Sequence, residues 1–152
     1  MALVPIEVLA TLSPGDQLDK AARAWGRNHG QKLKDELEGV LDSTGVEPLA
    51  EHLGGTVAAL GLGNVRVEIQ GDALMFRVFS NEDGSENVGC SALLGGFIAG
   101  YLAALGENTF DVLQLGSSGE GQLYWVGNSD AVTRVRDWIE EGVEPLAAVG
   151  RL

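Results

Sequence analysis

One thiol and two imidazoles have the greatest capacity for chemistry in this sequence. Cys90 is its one cysteine, and His29 and His52 are its two histidines. A cysteine at a helix start could be a nucleophile or a redox centre, because the free amide groups there favour the thiolate. No lysine, arginine or histidine lies near Cys90 in sequence, so we favour its interpretation as a small buried side chain.

These residues do not indicate a metal site. A single cysteine excludes an internal disulfide framework and a structural zinc site built mainly on thiolates. His29 and His52 have no ligand-like spacing to Cys90, and we interpret both as packed or surface histidines. The sequence therefore predicts no metal and no cofactor.

The sequence also lacks the familiar catalytic motifs. It has no nucleophile elbow around a serine, no phosphate-binding glycine loop before a lysine, and no Glu and His at metalloprotease spacing. The segment GLGNV, residues 61–65, follows a predicted helix and leads into a strand, which reverses the order in a dinucleotide-binding loop. We therefore lean towards a protein that is not an enzyme.

Basic side chains form a stripe on the first predicted helix, opposite its apolar face, at Lys20, Arg23, Arg27 and Lys34. Such a stripe is usually a solvated surface. If it does more, it would dock an acidic surface, either the loop Asn81 to Asn87 of a second subunit or a separate protein.

Composition restricts the class of protein and its partners. The chain has 152 residues, 45% of them hydrophobic and 21% charged, which is typical of a single folded domain over 1–152. A formal net charge of −12 disfavours attraction to phosphate backbones, so we expect no nucleic-acid partner. The start MALVPIEVL lacks a secretory leader, and the longest uncharged segment is too short to span a bilayer. We expect a cytoplasmic protein without a membrane span.

Hydrophobic periodicity and capping residues predict two helices in the first part of the chain. Ser13 and Pro14 indicate the start of a helix that runs to about Ser43. The segment VEPLAEHLGGTVAALGLG predicts a second helix, interrupted at Gly54 and Gly55.

Two hairpins follow, separated by a helix. NVRVEIQ and ALMFRVFS alternate with a period of two around a glycine turn, and TFDVLQL and QLYWVG do so around GSSGEG. Ser129 or Asp130 caps a last helix that ends at Gly142. This order predicts an α+β fold, with an antiparallel sheet of two hairpins packed with about four helices.

The helix from Ser91 to Leu105, between the hairpins, is apolar on every side, which is typical of a buried helix. One face carries only small residues, including Gly95, Gly96, Ala99 and Gly100. Each glycine in a helix costs about 0.5–1 kcal/mol relative to alanine, so another backbone or a ligand must come close to this face. We favour tight packing on the two hairpins; the alternative is that the helix lines an apolar pocket or a subunit interface.

Three segments resemble, in this order, the vinyl-reductase domain family, also called the hydrocarbon-binding family: WGRNHGQKL, EPLAEHLGGTVAALGLGNVRVEI, and CSALLGGFIAGYLAALGENTFDVLQLGSSGEGQLYWVG. The resemblance spans about Ala21 to Val126, and its most specific part is the cysteine before the GGFIAG helix. It implies a ligand-binding domain as in NO-signalling and Golgi-transport proteins, similar in fold to TRAPP core subunits and to sensing domains of phenol-responsive activators. It also implies a dimer that binds a ligand or a protein rather than a defined reaction.

Zinc-binding members of that family have a pattern of cysteines and a glutamate, of which this sequence keeps only Cys90. Gln114, Ser117 or Ser118, and Leu123 or Tyr124 stand where the other ligands would be expected. Neutral amide and hydroxyl oxygens are poor replacements for thiolates at zinc, which agrees with the prediction of no metal.

Our leading hypothesis is a non-enzymatic homodimer that binds a hydrophobic or aromatic small molecule in an apolar cavity, as a sensor or carrier. The predicted ligand contacts are Trp25, Phe76, Cys90, Phe97, Tyr101 and Trp125. The predicted interface residues are Gly95, Gly96, Ala99, Gly100, Lys20, Arg23 and Arg27. The alternative is an adaptor resembling TRAPP tethering subunits, in which the protein's own side chains fill the cavity and a protein partner binds. A role in tetrapyrrole vinyl reduction is suggested by the family name alone.

Overall fold

The computed structural model describes residues 15–37, 46–60, 63–71, 73–79, 88–106, 108–118 and 121–152. In chain order these residues form α1 (Gly15–Glu36), α2 (Val46–Ala59), β1 (Asn64–Gln70), β2 (Ala73–Phe79), α3 (Val88–Gly106), β3 (Asp111–Ser118), β4 (Gly121–Gly127), α4 (Ser129–Glu140) and α5 (Pro145–Val149). The strands form one antiparallel sheet in the order β1–β2–β4–β3. The predicted α+β class and both predicted hairpins are confirmed.

The two hairpins join through β2 and β4, and the register of this pair determines which side chains share a face. Phe76 lies opposite Tyr124, and Met75 lies opposite Trp125. Successive side chains of a strand point to opposite faces of the sheet, so these two pairs belong to different faces. Phe76 and Tyr124 accordingly lie in one hydrophobic cluster, and Met75 and Trp125 in another.

The helices α1, α2 and α3 cover the face of the sheet that carries Phe76. Both α2 and α3 contact strands, and α1 packs along α3. Leu53 and Val57 of α2 and Phe97 of α3 are fully buried against this face. Each contributes on the order of 1.5–3 kcal/mol by the removal of its side chain from water.

Glycines from both helices make the contact between α1 and α3 unusually close, at Gly26, Gly30, Gly96 and Gly100. A Cβ atom on Gly26 would overlap the carbonyl oxygen of Phe97. Gly95, by contrast, faces Val112 of β3. The expectation of tight packing on the hairpins is therefore wrong for Gly96 and Gly100, whose neighbour is α1, and a Cβ atom added at Gly95 would make only ordinary contact with Val112.

The opposite face of the sheet, which carries Trp125, is covered by α4 and α5. Val132 and Val135 of α4 and Ala148 of α5 are almost completely buried there. The short helix α5 is absent from the sequence prediction. It begins at Pro145, and the Glu144 carboxylate caps it by accepting a hydrogen bond from the Ala147 amide at 2.9 Å.

Several element boundaries differ from those predicted. Helix α1 ends at Glu36, a charged residue at a position that would continue the apolar face of the helix. Ser13, Pro14 and Ser43 lie outside the described residues. Helix α2 continues through Gly54 and Gly55 without interruption. The predicted cap of α4 was wrong, because the cap is Asn128, whose Oδ1 accepts a hydrogen bond from the Ala131 amide at 2.8 Å.

Candidate functional site

The clearest grouping of chemically capable side chains lies where α1, α2 and α3 meet. It consists of Trp25 and His29 from α1, His52 from α2, and Phe97 and Tyr101 from α3. We call these five residues the aromatic–histidine cluster. Three of them, Trp25, Phe97 and Tyr101, are predicted ligand contacts, and the structure brings these three together.

Helical spacing places the rings of the cluster side by side. Trp25 and His29 are four residues apart on α1, and Phe97 and Tyr101 are four residues apart on α3, so each pair shares one helix face. Trp25 meets Phe97 edge to face, with ring centroids 5.3 Å apart and planes at 75°. This arrangement matches the preferred geometry of aromatic pairs, whose ring edges are positive and whose faces are negative.

Tyr101 introduces a polar group into the otherwise apolar centre of the cluster. Its side chain is 0% exposed, and its hydroxyl oxygen lies 2.7 Å from Nδ1 of His52. Burial raises the pKa of Tyr101 well above its usual value, since the phenolate would lose its hydration. The side chain therefore stays a neutral phenol, able to donate a hydrogen bond to the imidazole.

His29 is a neutral member of the cluster at physiological pH. Its imidazole centroid lies 5.8 Å from that of Phe97 and 6.1 Å from that of Trp25. Desolvation by these surroundings lowers the pKa of His29, and the positive charge of Lys32 lowers it further. The ring consequently presents one donor and one acceptor nitrogen rather than a cation.

Exposure divides the cluster into an inner and an outer layer. Phe97 and Tyr101 are 0% exposed, whereas Trp25, His29 and His52 are partly exposed. The outer layer thus combines an indole and two imidazoles on a rigid aromatic base.

The other predicted ligand contacts are placed differently. Phe76 is fully buried in the hydrophobic cluster that also contains Phe97 and Tyr101. Trp125 lies across the sheet from them, so its predicted membership of one shared cavity was wrong, because adjacent strand positions face opposite ways. Cys90 lies within α3 rather than before it, and its side chain is outside the described residues.

Trp125 instead lies at the edge of an open cleft of about 680 Å³ on the far side of the sheet. Its lining includes Met75, Ala131, Arg134, Leu146 and Leu152. Trp125 itself is only 4% exposed, because it is packed under α4 and α5. The cleft thus combines aliphatic side chains and part of the Trp125 ring with the polar groups of Gln70, Asn128 and Arg134.

The predicted interface residues are largely used within the chain. Gly96 and Gly100 contact α1, as described above, and Ala99 is buried. The Arg23 guanidinium donates hydrogen bonds to Asp19 at 2.8 Å, to Asp111 at 3.0 Å and to the carbonyl oxygen of Phe110 at 3.2 Å. It thereby ties α1 to the start of β3. Lys20 and Arg27 are exposed, and their role in an interface stays a prediction.

Sequence reasoning missed the two histidines as site residues. His29 lies four residues after Trp25 on α1, and His52 lies three residues after Leu49 on α2. Helical periodicity could identify them as inward-facing, but it could not show that both approach the same residues of α3. That proximity depends on the close α1–α3 contact.

No family model and no curated protein matches this chain. The resemblance to the vinyl-reductase family therefore stays a prediction. Within the ranges that the structure describes, no three His, Cys, Asp or Glu side chains are grouped to hold a metal ion. None of the helices in those ranges is long and apolar enough to cross a membrane.

Proposed function

We propose that this chain is a binding domain for a hydrophobic or aromatic small molecule, with the aromatic–histidine cluster as its site. The observation that supports this proposal is the outer layer of Trp25, His29 and His52 over the buried rings of Phe97 and Tyr101. Sites for such ligands combine aromatic surface with a few placed polar groups.

The rigidity of the base favours recognition of a flat ligand. The glycine contacts hold α1 and α3 together, and the Tyr101–His52 hydrogen bond links α3 to α2. Rings held in this way lose little conformational entropy on binding, so more of the stacking energy, about 0.5–1.5 kcal/mol per aromatic pair, contributes to affinity. In this proposal the protein acts as a homodimeric sensor or carrier, as the family resemblance implies.

Indole NMR signals provide a direct test, because the chain has three tryptophans at known places. Trp25 belongs to the cluster, while Trp125 and Trp138 lie on the other face of the sheet. The probe is Prodan, a neutral naphthalene ketone, titrated into uniformly ¹⁵N-labelled protein. The indole N–H signal of Trp25 should shift saturably, and those of Trp125 and Trp138 should stay in place.

Single substitutions Trp→Phe at each position assign the three indole signals and supply matched controls. Native mass spectrometry of the same sample measures the stoichiometry of the complex. A shift of the Trp125 signal with a stationary Trp25 signal would move the site to the cleft across the sheet. The proposal would be contradicted if no indole signal shifts saturably up to the solubility limit of Prodan and the protein stays unliganded in the mass spectrum.

A second candidate function is a protein-binding adaptor without a small-molecule ligand. It is favoured by one observation, namely that Phe76, Phe97 and Tyr101 fill the centre of their hydrophobic cluster and are 0% exposed. Sedimentation analysis without any ligand, combined with the Prodan titration, distinguishes the two. Concentration-dependent association together with failure to bind Prodan would favour the adaptor.

A further inference from the structure

The buried hydroxyl of Tyr101 determines where its hydrogen atom must point. The side chain is 0% exposed, and the structure gives its hydroxyl one hydrogen-bond partner among the described residues, Nδ1 of His52 at 2.7 Å. A hydroxyl proton left without an acceptor in an apolar interior costs about 1–3 kcal/mol. The hydroxyl therefore donates a hydrogen bond to Nδ1, which accepts it.

The direction of this hydrogen bond determines which nitrogen of a neutral His52 carries the hydrogen. A nitrogen that accepts a hydrogen bond carries no proton, so a neutral imidazole must carry its hydrogen on the other nitrogen. The raised pKa of Tyr101 keeps the phenol protonated over the physiological range, which maintains the arrangement. His52 therefore holds its proton on Nε2, in a ring that is partly exposed within the outer layer of the cluster.

The charge of the chain indicates which acceptor suits this donor. The net charge of −12 disfavours a carboxylate or phosphate, and within the cluster His29, whose pKa is lowered by burial, carries no positive charge at neutral pH. Lys32 lies outside the cluster but close enough for its charge to act on His29. A carbonyl or ether oxygen accepts a hydrogen bond without that electrostatic cost. A neutral acceptor on an aromatic body therefore matches both the rings and the donor.

We infer that Tyr101 is a positioning residue that holds His52 in its Nε2–H form, so that the site selects aromatic ligands carrying a neutral hydrogen-bond acceptor such as a carbonyl oxygen. This inference rests on the proposed binding function of the cluster. It adds a specificity rule to that function and assigns His52 as the residue that enforces it.

The protonation of His52 is measured first, by long-range ¹H–¹⁵N correlation spectra of the imidazole rings. The chain has only two histidines, so the variant His29→Gln assigns both sets of signals. The ligand-free wild type should show His52 with its proton on Nε2. The variant Tyr101→Phe, which keeps the ring but removes the hydroxyl, should gain a measurable population with the proton on Nδ1.

Ligand selection is measured with two probes that share one aromatic body. Prodan carries a ketone, and 2-(dimethylamino)naphthalene lacks it. The selectivity of a protein is its affinity for Prodan divided by its affinity for 2-(dimethylamino)naphthalene. In His52→Phe this ratio reflects only the hydrophobic difference between the probes. In wild type the ratio should be about three- to tenfold larger than in His52→Phe. His52→Gln, which keeps a donor, should retain part of the selectivity, and Trp138→Phe on the other face should retain all of it.

The outcomes separate the inference from the function on which it rests. A proton on Nδ1 of His52 in the wild type would overturn the inference, as would a ketone preference that is unchanged in both His52 variants. In the second case, saturable binding of both probes at Trp25 would still support the proposed function. If neither probe binds to the folded wild type, both the proposed function and the inference are wrong.

Discussion

Gly100 of α3 lies directly against the backbone of Arg23 in α1, with no space for a methyl group between them. A Cβ atom at Gly100 would overlap the carbonyl oxygen, the carbonyl carbon and the Cα atom of Arg23. Because these are backbone atoms, a side-chain rotation cannot relieve the overlap. The two helices must move apart to accept any other residue at this position.

The substitution Gly100→Ala should therefore destabilise the protein by about 3 kcal/mol, despite the better helix propensity of alanine. The matched control is Gly55→Ala in α2, where an added Cβ atom would meet nothing within 4 Å. That variant should be more stable than wild type by about 0.5–1 kcal/mol. Urea unfolding monitored by circular dichroism measures both changes. Equal effects of the two substitutions would show that α1 does not pack on α3 in this way.

The small face of α3 illustrates how far the sequence could predict the fold. Its glycines indicate that a backbone comes close, and the structure contains such a contact. The pattern describes only the surface of one helix, however, and it is equally compatible with a sheet, a helix or a second subunit. The identity of α1 as the neighbour depends on Gly26 and Gly30, which periodicity alone does not relate to α3.

The candidate site shows a similar limit. Phe76 and Trp125 were both recognised as apolar residues of hairpin strands, but the face that each occupies depends on strand register. A shift of one residue in strand register moves every side chain of the strand to the opposite face of the sheet. Composition alone therefore could not show whether Phe76 and Trp125 share a face. Helical spacing, in contrast, places Phe97 and Tyr101 on one face of α3, because residues four apart in a helix share a face without reference to a neighbour.

The ion pair between Glu68 and Arg77 should make a small, pH-dependent contribution to stability. Arg77 donates two hydrogen bonds to the Glu68 carboxylate, at 2.6 and 3.1 Å, between β1 and β2. These bonds lower the pKa of Glu68. A carboxyl group with a lowered pKa in the folded state stabilises the fold above its unfolded pKa of about 4.3, and this contribution is lost as the pH falls through the folded value.

We expect Glu68→Gln to reduce the free energy of unfolding by about 0.5 kcal/mol at neutral pH, in the range of partly exposed ion pairs. The difference from wild type should shrink as the pH falls below the unfolded value of about 4.3 and through the lower folded pKa of Glu68. Urea titrations of both proteins from neutral to acidic pH measure this difference. Glu51→Gln, at an exposed position of α2, serves as the control. A difference that is independent of pH would contradict the assignment of the contribution to the ion pair.

The cap of α4 is Asn128, one residue before the first of the two positions that the sequence predicted, Ser129 and Asp130. Asn128 Oδ1 accepts a hydrogen bond from the Ala131 amide, whereas Ser129 occupies the first helical position and is exposed. Asn128→Ala should cost about 1 kcal/mol of stability, since an amide at the helix start loses its acceptor. Ser129→Ala should change stability by less than about 0.5 kcal/mol. Thermal unfolding of both variants is the measurement, and a larger loss for Ser129→Ala would contradict the observed cap.

The cluster itself should make the protein sensitive to mild acid through His29. The pKa of this residue is lowered in the folded state, chiefly by burial. The unfolded chain therefore binds a proton at His29 more readily, near the ordinary histidine value of about 6.5. The contribution of the neutral imidazole to the free energy of unfolding is fully present above this pH. It decreases on acidification until the pH passes below the folded pKa of His29.

Replacement by a residue that does not titrate removes this dependence. As the pH falls below about 6.5, the free energy of unfolding of wild type should thus decrease relative to that of His29→Gln. Urea unfolding of the two proteins at matched pH values measures it, and other ionisable groups largely cancel in the comparison. Lys32→Gln removes a positive charge that lowers the pKa of His29, so an NMR titration of that variant should show a higher pKa. Parallel plots of stability against pH for wild type and His29→Gln would mean that the imidazole is as well solvated in the fold as in the unfolded chain. The outer layer of the cluster would then lack the apolar character on which the proposed ligand binding depends.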